Sequence, residues 1–160
     1  NLRRRMDDRA LDITLLTNSY KTSAIGAEVL LTEPLIWAGA KGSCAHLREP
    51  LPVSLWEEGC AWRAGALEAL SREGRNYRIA YMSAHTAGQR AAIMADLAVA
   101  PLPKSFLGHD MVELGPKNGM PEIGSYSLAM VVAPDASAPV KAVADHIRAT
   151  FEVFKETGKF

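Results

Sequence analysis

The chain has 160 residues, 48% of them hydrophobic and 22% charged, enough apolar residues for one globular domain or two small lobes. Eighteen Lys and Arg residues balance eighteen Asp and Glu residues, so the formal net charge is zero, which argues against a large basic face for nucleic acid. No apolar run approaches the roughly 18–20 residues of a membrane span, and residues 1–5 lead into no signal-peptide core. We therefore expect a cytoplasmic protein that does not bind membranes.

The cysteines and histidines predict neither a disulfide framework nor a metal site. Cys44 and Cys60 form no C-x-x-C motif, and the four histidines have no zinc-ligand spacing. No cofactor is expected. The chain has no initiator methionine and begins inside a charged, helix-like stretch, so we expect it to be part of a longer protein.

The first forty residues are predicted to be rich in strands. Residues 2–10 fit the end of a surface helix. Residues 11–17 carry apolar side chains on both faces, as in a strand buried in a parallel sheet. After a polar stretch at residues 18–23, residues 27–31 and 34–40 are predicted to form two further strands.

The middle of the chain alternates between strand and helix patterns. Residues 41–52 are polar and interrupted by prolines, which is typical of a connection between lobes. The elements predicted after it are a strand at 53–56, a helix from Gly59 to Gly74, a strand at 77–82, a helix from Thr86 to about Asp96, and a strand at 97–103. The sequence of Thr86 to Gln89 matches a capping box. This alternation predicts a parallel sheet with helices packed on it.

The last part of the chain returns to a strand and ends in an amphipathic helix. A second linker at residues 115–124 leads to a predicted strand at 127–132. Ser137 then begins a helix with Pro139 in its first turn. Its apolar stripe requires a sheet to pack on, and is formed by Val140, Val143, Ala144, Ile147, Phe151 and Phe154.

The sequence lacks the common motifs of enzyme active sites. It contains no G-x-S-x-G nucleophile elbow and no G-x-x-x-x-G-K-[ST] phosphate loop. Cys60 has no His beside it in the sequence. We therefore do not expect an enzyme.

Two strand-to-helix turns, at residues 58–63 and 83–86, are the best candidates for a ligand site. In open α/β sheets such turns lie at the carboxyl ends of the strands, where helix N-termini present free N–H groups to anions. Taken singly, each residue has a simpler structural interpretation: Thr86 as a cap, Trp62 in packing, Arg63 in a surface ion pair, His85 in an exposed loop and Cys60 as a small buried side chain.

The order and spacing of five segments resemble the effector-binding domain of LysR-type transcriptional regulators over almost all of the chain. The segments are LDITLL (11–16), EPLIW (33–37), RIAYMS (78–83), QRAA (89–92) and LAVAPLP (97–103). Trp62-Arg63 together with YRIAY (77–81) resembles the LrhA/HexA-like branch of that family.

The resemblance implies an α/β, two-lobed fold like that of type 2 periplasmic binding proteins. Residues 1–39 with 126–160 would form the first lobe and residues 40–125 the second, with a small effector in the cleft. Members of the family are cytoplasmic homo-oligomers, dimers or tetramers, and bind promoter DNA through an N-terminal winged helix-turn-helix. The rival interpretation is a solute-binding protein of the same fold.

The chain departs from the family pattern at its start and at one cysteine. It contains no winged helix-turn-helix, and the first strand and helix of the first lobe are missing, so we expect that lobe to be incomplete. Peroxide-sensing members carry a redox cysteine in the turn that corresponds to residues 59–63. Cys60 lies one position too early, and no second cysteine follows at the expected position. Redox sensing through Cys60, with Cys44 as its partner, stays open as an alternative, but we expect no disulfide between them.

The fold implied by the resemblance places the effector between the lobes. Hydroxyl groups, backbone N–H groups and the Arg63 guanidinium predict a carboxylate or a similar small anion as the effector, and Trp62 would supply an apolar wall. The expected effector-binding residues are Thr17, Asn18, Cys60, Trp62, Arg63, Ser83, Ala84, His85 and Thr86.

The zero net charge leads to a test of DNA binding. These 160 residues alone should not bind any duplex sequence-specifically, because they have neither an excess of positive charge nor a recognition helix. A mobility-shift assay at physiological salt measures this, and a shift that depends on the DNA sequence would contradict the expectation.

Overall fold

The structure is a computed structural model that describes residues 2–18 and 26–158, without the side chains of residues 2, 3 and 18. The helices and strands of this part, in chain order, are α1 (Leu2–Asp7), β1 (Ile13–Asn18), β2 (Glu28–Ala40), β3 (Leu51–Leu55), α2 (Ala61–Arg72), β4 (Tyr77–Met82), α3 (Thr86–Met94), β5 (Ala100–Pro103), β6 (Met111–Leu114), β7 (Gly124–Val132) and α4 (Ala138–Thr157). Short 3-10 helices occur at Ala45–Leu47, Lys104–Phe106 and Pro116–Asn118. Among the described residues, no helix is both long and apolar enough to cross a membrane.

The chain forms two compact units, one of Asn1–Thr32 with Tyr126–Phe160 and one of Glu33–Ser125. The chain passes from the first unit to the second within β2, and it passes back to the first unit within β7. The lobe boundary predicted after residue 39 also lies in β2, but it lies closer to the end of that strand than the division between Thr32 and Glu33. The limits of the lobes stay a prediction.

In the first unit, β1 pairs with β7 in antiparallel register, from Ile13 opposite Val132 to Asn18 opposite Ser127. The expectation of a parallel, fully buried strand at residues 11–17 is therefore wrong, and Leu15 is 39% exposed. Apolar side chains on both faces of a strand indicate burial, but they do not determine the direction of its neighbour.

Strand β2 is continuous from Glu28 to Ala40, whereas two strands, at residues 27–31 and 34–40, were predicted. The strand lies beside β7, and its pairing with β5 begins at Leu35, opposite Pro103. Pro34 cannot donate a backbone hydrogen bond, but it lies just before the pairing with β5 begins, so the strand tolerates it.

The amphipathic helix at the end of the chain packs on the strands of the first unit, as its stripe predicted. Ala144 and Phe151 of α4 form a buried cluster with Leu30 of β2 and Met130 of β7, and Ile13 of β1 packs against this cluster. Val143 was assigned to the same stripe but is 53% exposed.

The second unit contains the predicted succession of strands and helices. All five residues of β3 are buried, and β3 pairs with β4 in parallel. Val99, just before β5, makes a parallel bridge to Val53. β5 and β6 then pair with β2 in antiparallel register.

The core of the second unit lies between β3, α2 and the second half of β2. Leu51, Val53 and Leu55 pack there with Trp37 and Leu70. Trp37 is 1% exposed, and its indole Nε1 donates to the carbonyl oxygen of Pro121 at 3.1 Å. Trp37 thus fills the core of this unit and also holds the segment that leads into β7.

The packing of α4 gives a test of stability. Phe151→Ala should lower the free energy of unfolding by about 3 kcal/mol, because it removes a buried aromatic ring and leaves a cavity. Val153→Ala is the matched control on the same helix: Val153 is 54% exposed, and its loss should cost under about 0.5 kcal/mol. Urea unfolding measures both values, and equal losses would contradict the assigned packing.

Candidate functional site

Two strand-to-helix turns lie side by side in the second unit. β3 and β4 are parallel neighbours, with Ser54 opposite Tyr81 and Leu55 opposite Met82. Both strands therefore end at the same edge of the sheet, and α2 and α3 begin just beyond it. The first turn of each helix leaves backbone N–H groups without acceptors inside the helix, which favours an anion at this edge.

The turn before α2 ends at Cys60, and the helix begins at Ala61, two residues later than the start predicted at Gly59. Gly59 has a φ of +86°, a conformation that favours glycine, and Cys60 is the N-cap residue. The side chain of Cys60 caps no N–H group of the helix. It is half-buried and packs against the apolar cluster that contains Trp56 and Ile93.

Three aromatic rings form a wall beside this turn. The rings of Trp56 and Trp62 meet edge to face with centroids 5.0 Å apart, and those of Trp62 and Phe106 do so at 6.0 Å. Phe106 is 40% exposed and belongs to the 3-10 helix Lys104–Phe106. Glu33 fixes that helix by accepting from the backbone N–H and the hydroxyl of Ser105, both at 2.9 Å.

Sequence reasoning missed Phe106. The residues around it follow no helix or strand periodicity, and only the tertiary fold places its ring against Trp62.

Arg63 connects the ends of the two strands. Its Nη1 atom donates to the carbonyl oxygen of Trp56 at 3.0 Å and to the sulfur of Met82 at 3.4 Å. Within the described residues, Nε and Nη2 of Arg63 have no acceptor, and no carboxylate pairs with the guanidinium. The half-buried guanidinium therefore keeps one edge available for a two-point contact with a carboxylate. The simpler interpretation of Arg63 as a surface ion-pair partner is wrong.

The turn before α3 is held by its own side chains, but the predicted capping box is absent. The N-cap residue is His85, and its side chain caps no N–H group. The hydroxyl of Ser83 accepts from the N–H of His85 at 3.1 Å and donates to its carbonyl oxygen at 3.3 Å. Thr86, the first residue of α3, is exposed, as are Ala84 and His85.

Gln89 is buried completely, so it does not reach back over the helix start as a capping box requires. Its amide Nε2 donates to the carbonyl oxygens of Leu55 and Ser83, both at 2.8 Å. Its Oε1 accepts from the hydroxyl of Ser54. These tertiary partners outcompete the local capping pattern, because the side chain points into the unit.

The structure brings seven of the nine expected effector-binding residues to these two turns. Cys60, Trp62 and Arg63 lie at the start of α2, and residues 83–86 lie at the start of α3. Thr17 and Asn18 are at the end of β1 in the first unit; Thr17 is exposed, and the side chain of Asn18 lies outside the described part. The nine residues stay a prediction as a single ligand site.

The two cysteines are free thiols in different surroundings. Cys44 is exposed, and its thiol donates to Oδ2 of Asp96 at 3.2 Å. Arg48 donates to the same oxygen at 2.6 Å, and the N–H of Ala45 donates to Oδ1 at 2.8 Å. Among the described residues there is no group of three or more His, Cys, Asp or Glu side chains that could hold a metal ion.

The pKa of Asp96 lies below its usual value of 3.8. Burial by itself raises this pKa, but the hydrogen bonds from the Cys44 thiol and from the N–H groups of Ala45 and Cys44, with the charge of Arg48, outweigh burial and lower it. The folded state thus stabilises the ionised form of the Asp96 carboxylate.

The fold and this arrangement of turns are those of an α/β regulatory domain. Residues 1–152 match the family model of the LysR substrate binding domain, and the chain belongs to that family. The family expected from the sequence is therefore confirmed. It is a family of transcriptional regulators.

Relatives of the chain agree with this assignment. The HTH-type transcriptional regulator DgdR of Burkholderia cepacia is 28% identical over 148 residues, which cover 90% of this chain and 49% of DgdR. The chain thus spans about half the length of this curated relative.

Solved structures show the same fold at low sequence identity. The regulatory domain of HypT from Salmonella typhimurium, with bromide bound, has a TM-score of 0.76 at 11% identity, over 95% of this chain and 78% of that one. The regulatory domain of CcmR from Synechocystis PCC6803, in complex with 2-PG, has a TM-score of 0.72 at 14% identity, over 94% and 78%.

The lowered pKa of Asp96 predicts how its contribution depends on pH. Its stabilising effect is complete above the ordinary pKa and is lost as the pH falls through the lowered pKa of the folded state. Asp96→Asn should therefore cost about 1 kcal/mol at pH 7, and the difference from the unchanged protein should shrink as the pH falls below about 4. Asn also tolerates the positive φ of 51° at this position, so the substitution adds no backbone strain; it removes the charge and one of the two acceptor oxygens.

Urea unfolding at pH 7, 5, 4 and 3 checks this prediction. Asp145→Asn is the control, because Asp145 is 74% exposed in its pair with Arg148 and should contribute little at any pH. A cost of Asp96→Asn that stays constant from pH 7 to 3 would contradict the assigned role of the carboxylate.

Proposed function

We propose that the chain is the effector-sensing part of a LysR-type transcription factor and that it binds a small organic carboxylate at the starts of α2 and α3. Arg63 carries this proposal. Its half-buried guanidinium bonds to Trp56 and Met82 through Nη1 alone, and among the described residues no carboxylate neutralises it. A bound carboxylate supplies the missing charge through Nε and Nη2.

The aromatic wall favours an organic ligand over an inorganic ion. Phe106, which is 40% exposed, and the partly buried Trp62 offer apolar surface beside the start of α2, whereas the ring of Trp56, in contact with Trp62, is itself buried. An effector with an apolar body gains from covering this surface, while its carboxylate faces Arg63 and the backbone N–H groups of the two helix starts.

The whole protein that we infer is longer than the 160 residues. The chain spans about half of DgdR, and full-length LysR-type regulators such as DarR of Vibrio fischeri, solved in complex with DNA, contain a comparable domain. We propose an N-terminal winged helix-turn-helix that binds promoter DNA, a homo-oligomer (dimer or tetramer) and a cytoplasmic location. The residues Trp62-Arg63 and YRIAY (77–81) support the LrhA/HexA-like branch.

Redox sensing through Cys60 is the second candidate. Cys60 lies at the N-cap of α2, and HypT, whose fold is similar, is described as a hypochlorite-specific regulator. Against this candidate, Cys60 is half-buried in apolar packing, while Cys44 is engaged with Asp96 and Arg48. A mass-spectrometric crosslink between Cys44 and Cys60 after mild peroxide treatment would support it over carboxylate sensing.

The test of carboxylate binding is a titration with acetate, pyruvate, benzoate and salicylate, with sulfate as the inorganic comparison. At least one of the carboxylates should bind, and Arg63→Gln should weaken that binding roughly 10- to 100-fold, because a charge-assisted pair is lost. Arg78→Gln is the matched control: Arg78 is an exposed arginine of the neighbouring strand β4 and should leave the affinity unchanged. Calorimetry measures the affinities.

A second arm tests the turn before α3 in the full-length regulator. Ser83→Leu or Thr86→Leu should abolish the transcriptional response to the bound carboxylate and leave basal DNA binding intact, because both residues belong to the proposed ligand site, whereas the proposed winged helix-turn-helix binds the DNA. A normal response in these variants, or an affinity that does not depend on Arg63, would overturn the proposed site.

A further inference from the structure

Gln89 is a fully buried polar side chain that joins the turn before α3 to the end of β3. It lies in the first turn of α3 and has no solvent exposure. Both N–H groups of its amide are used, one on the carbonyl oxygen of Leu55 and one on that of Ser83, each at 2.8 Å. Its own oxygen accepts from Ser54. Protein groups therefore supply three of the four hydrogen bonds that an amide can form, including both of its donated bonds.

The contacts of Gln89 converge on the end of β3. The carbonyl oxygen of Leu55 also accepts from the backbone N–H of Ser83, at 3.1 Å. The next residue, Trp56, supplies the carbonyl oxygen that holds Arg63. One buried network thus fixes the Ser83 turn against the strand end on which the Arg63 guanidinium rests.

Gly88 shows how closely this turn approaches α3. A Cβ atom at residue 88 would lie 2.4 Å from the hydroxyl oxygen of Ser83 and 2.8 Å from its Cβ. Only glycine leaves room for this contact, so the turn packs directly on the helix that carries Gln89. Ser83 is thus held both by its close packing on Gly88 and by the hydrogen bond from Gln89.

Burial alone does not require an amide at this position. Methionine has a similar length and would fill the space without a polar group. Hydrogen bonds, unlike apolar packing, depend on direction. The three hydrogen bonds of the amide therefore favour one arrangement of the end of β3 and the turn at residues 83–86.

We propose that Gln89 is a positioning residue of the ligand site, which holds the turn at residues 83–86 in place relative to Trp56 and Arg63. This inference rests on the proposed function for the identity of the site. The position of the turn itself is measured without any ligand.

The first experiment separates positioning from stability in the full-length protein. The double substitution Ser54→Ala with Gln89→Met replaces the hydroxyl and the amide by apolar groups, so the melting temperature should change by under about 3 °C. Amide hydrogen exchange of residues 83–88 should rise roughly tenfold, because the turn loses its anchor while the core stays filled. Exchange in α4, which belongs to the other unit, should not change.

The second experiment uses a charge that can be removed by pH. Gln89→Glu keeps the shape, but its ionised carboxylate faces the carbonyl oxygens of Leu55 and Ser83, which repel it. Ser54 and these two carbonyl groups do not titrate, so protonation of the introduced group should restore a donor. Exchange of residues 83–88 should be fast at pH 8 and approach that of the unchanged protein at pH 5, after correction for intrinsic exchange.

Asn118→Asp is the matched control for the change from amide to carboxylate. Asn118 is exposed, and only its oxygen is used, as the acceptor of the Gly115 N–H. This variant should show no such pH dependence in residues 83–88.

The outcomes distinguish this inference from the proposed function. Unchanged exchange of residues 83–88 in the double variant, or no pH dependence in Gln89→Glu, overturns the positioning role whatever the ligand is. If benzoate or another carboxylate of the panel binds the unchanged protein, the double variant should lose at least about fivefold in affinity, and equal affinity also overturns the inference. If no carboxylate binds the unchanged protein, the proposed function fails, and the exchange data alone decide whether Gln89 positions the turn.

Discussion

The parallel pairing of β3 with β4 is the constraint on which the candidate site depends. All five residues of β3 are buried, and the register sets Leu55 opposite Met82. Because parallel strands end at the same edge, the helices that follow them must begin there together. This register brings Met82 within reach of Arg63, and it sets Ser83 beside Leu55, where Gln89 bonds to both.

Helix α2 links this edge to the connecting segments of the second unit. At its far end, Arg75 donates to the carbonyl oxygens of His46 and Gly119, at 2.8 and 2.6 Å. Arg72 donates to the carbonyl oxygen of Glu122 at 2.8 Å. The segments expected to be connections, residues 41–52 and 115–124, are thus both tied to the helix whose other end carries Cys60 and Arg63.

Arg63 differs from three other arginines of the chain in the partners of its guanidinium. Arg48, Arg90 and Arg148 each bond to an acidic side chain, at 2.6 to 2.8 Å, and these pairs hold loops and helices in place. Arg63 bonds to a carbonyl oxygen and a thioether sulfur. Among the described residues its charge has no neutralising partner, which is the basis of the anion site proposed above.

The sequence by itself determined the family, the succession of elements from β3 to β5 and the docking of the last helix, but it did not predict β6. Hydrophobic periodicity and proline positions report which side chains are buried and where the chain turns, and these features are local. The direction of β1, the continuity of β2 through Pro34 and the partners of Gln89 were decided only by the tertiary structure. Each depends on a neighbour far away in the chain, which local patterns do not encode. Likewise, the sequence placed Trp62 and Arg63 at a helix start. Only the fold put Phe106 beside Trp62 and, within residues 2–18 and 26–158, gave Arg63 no acidic partner.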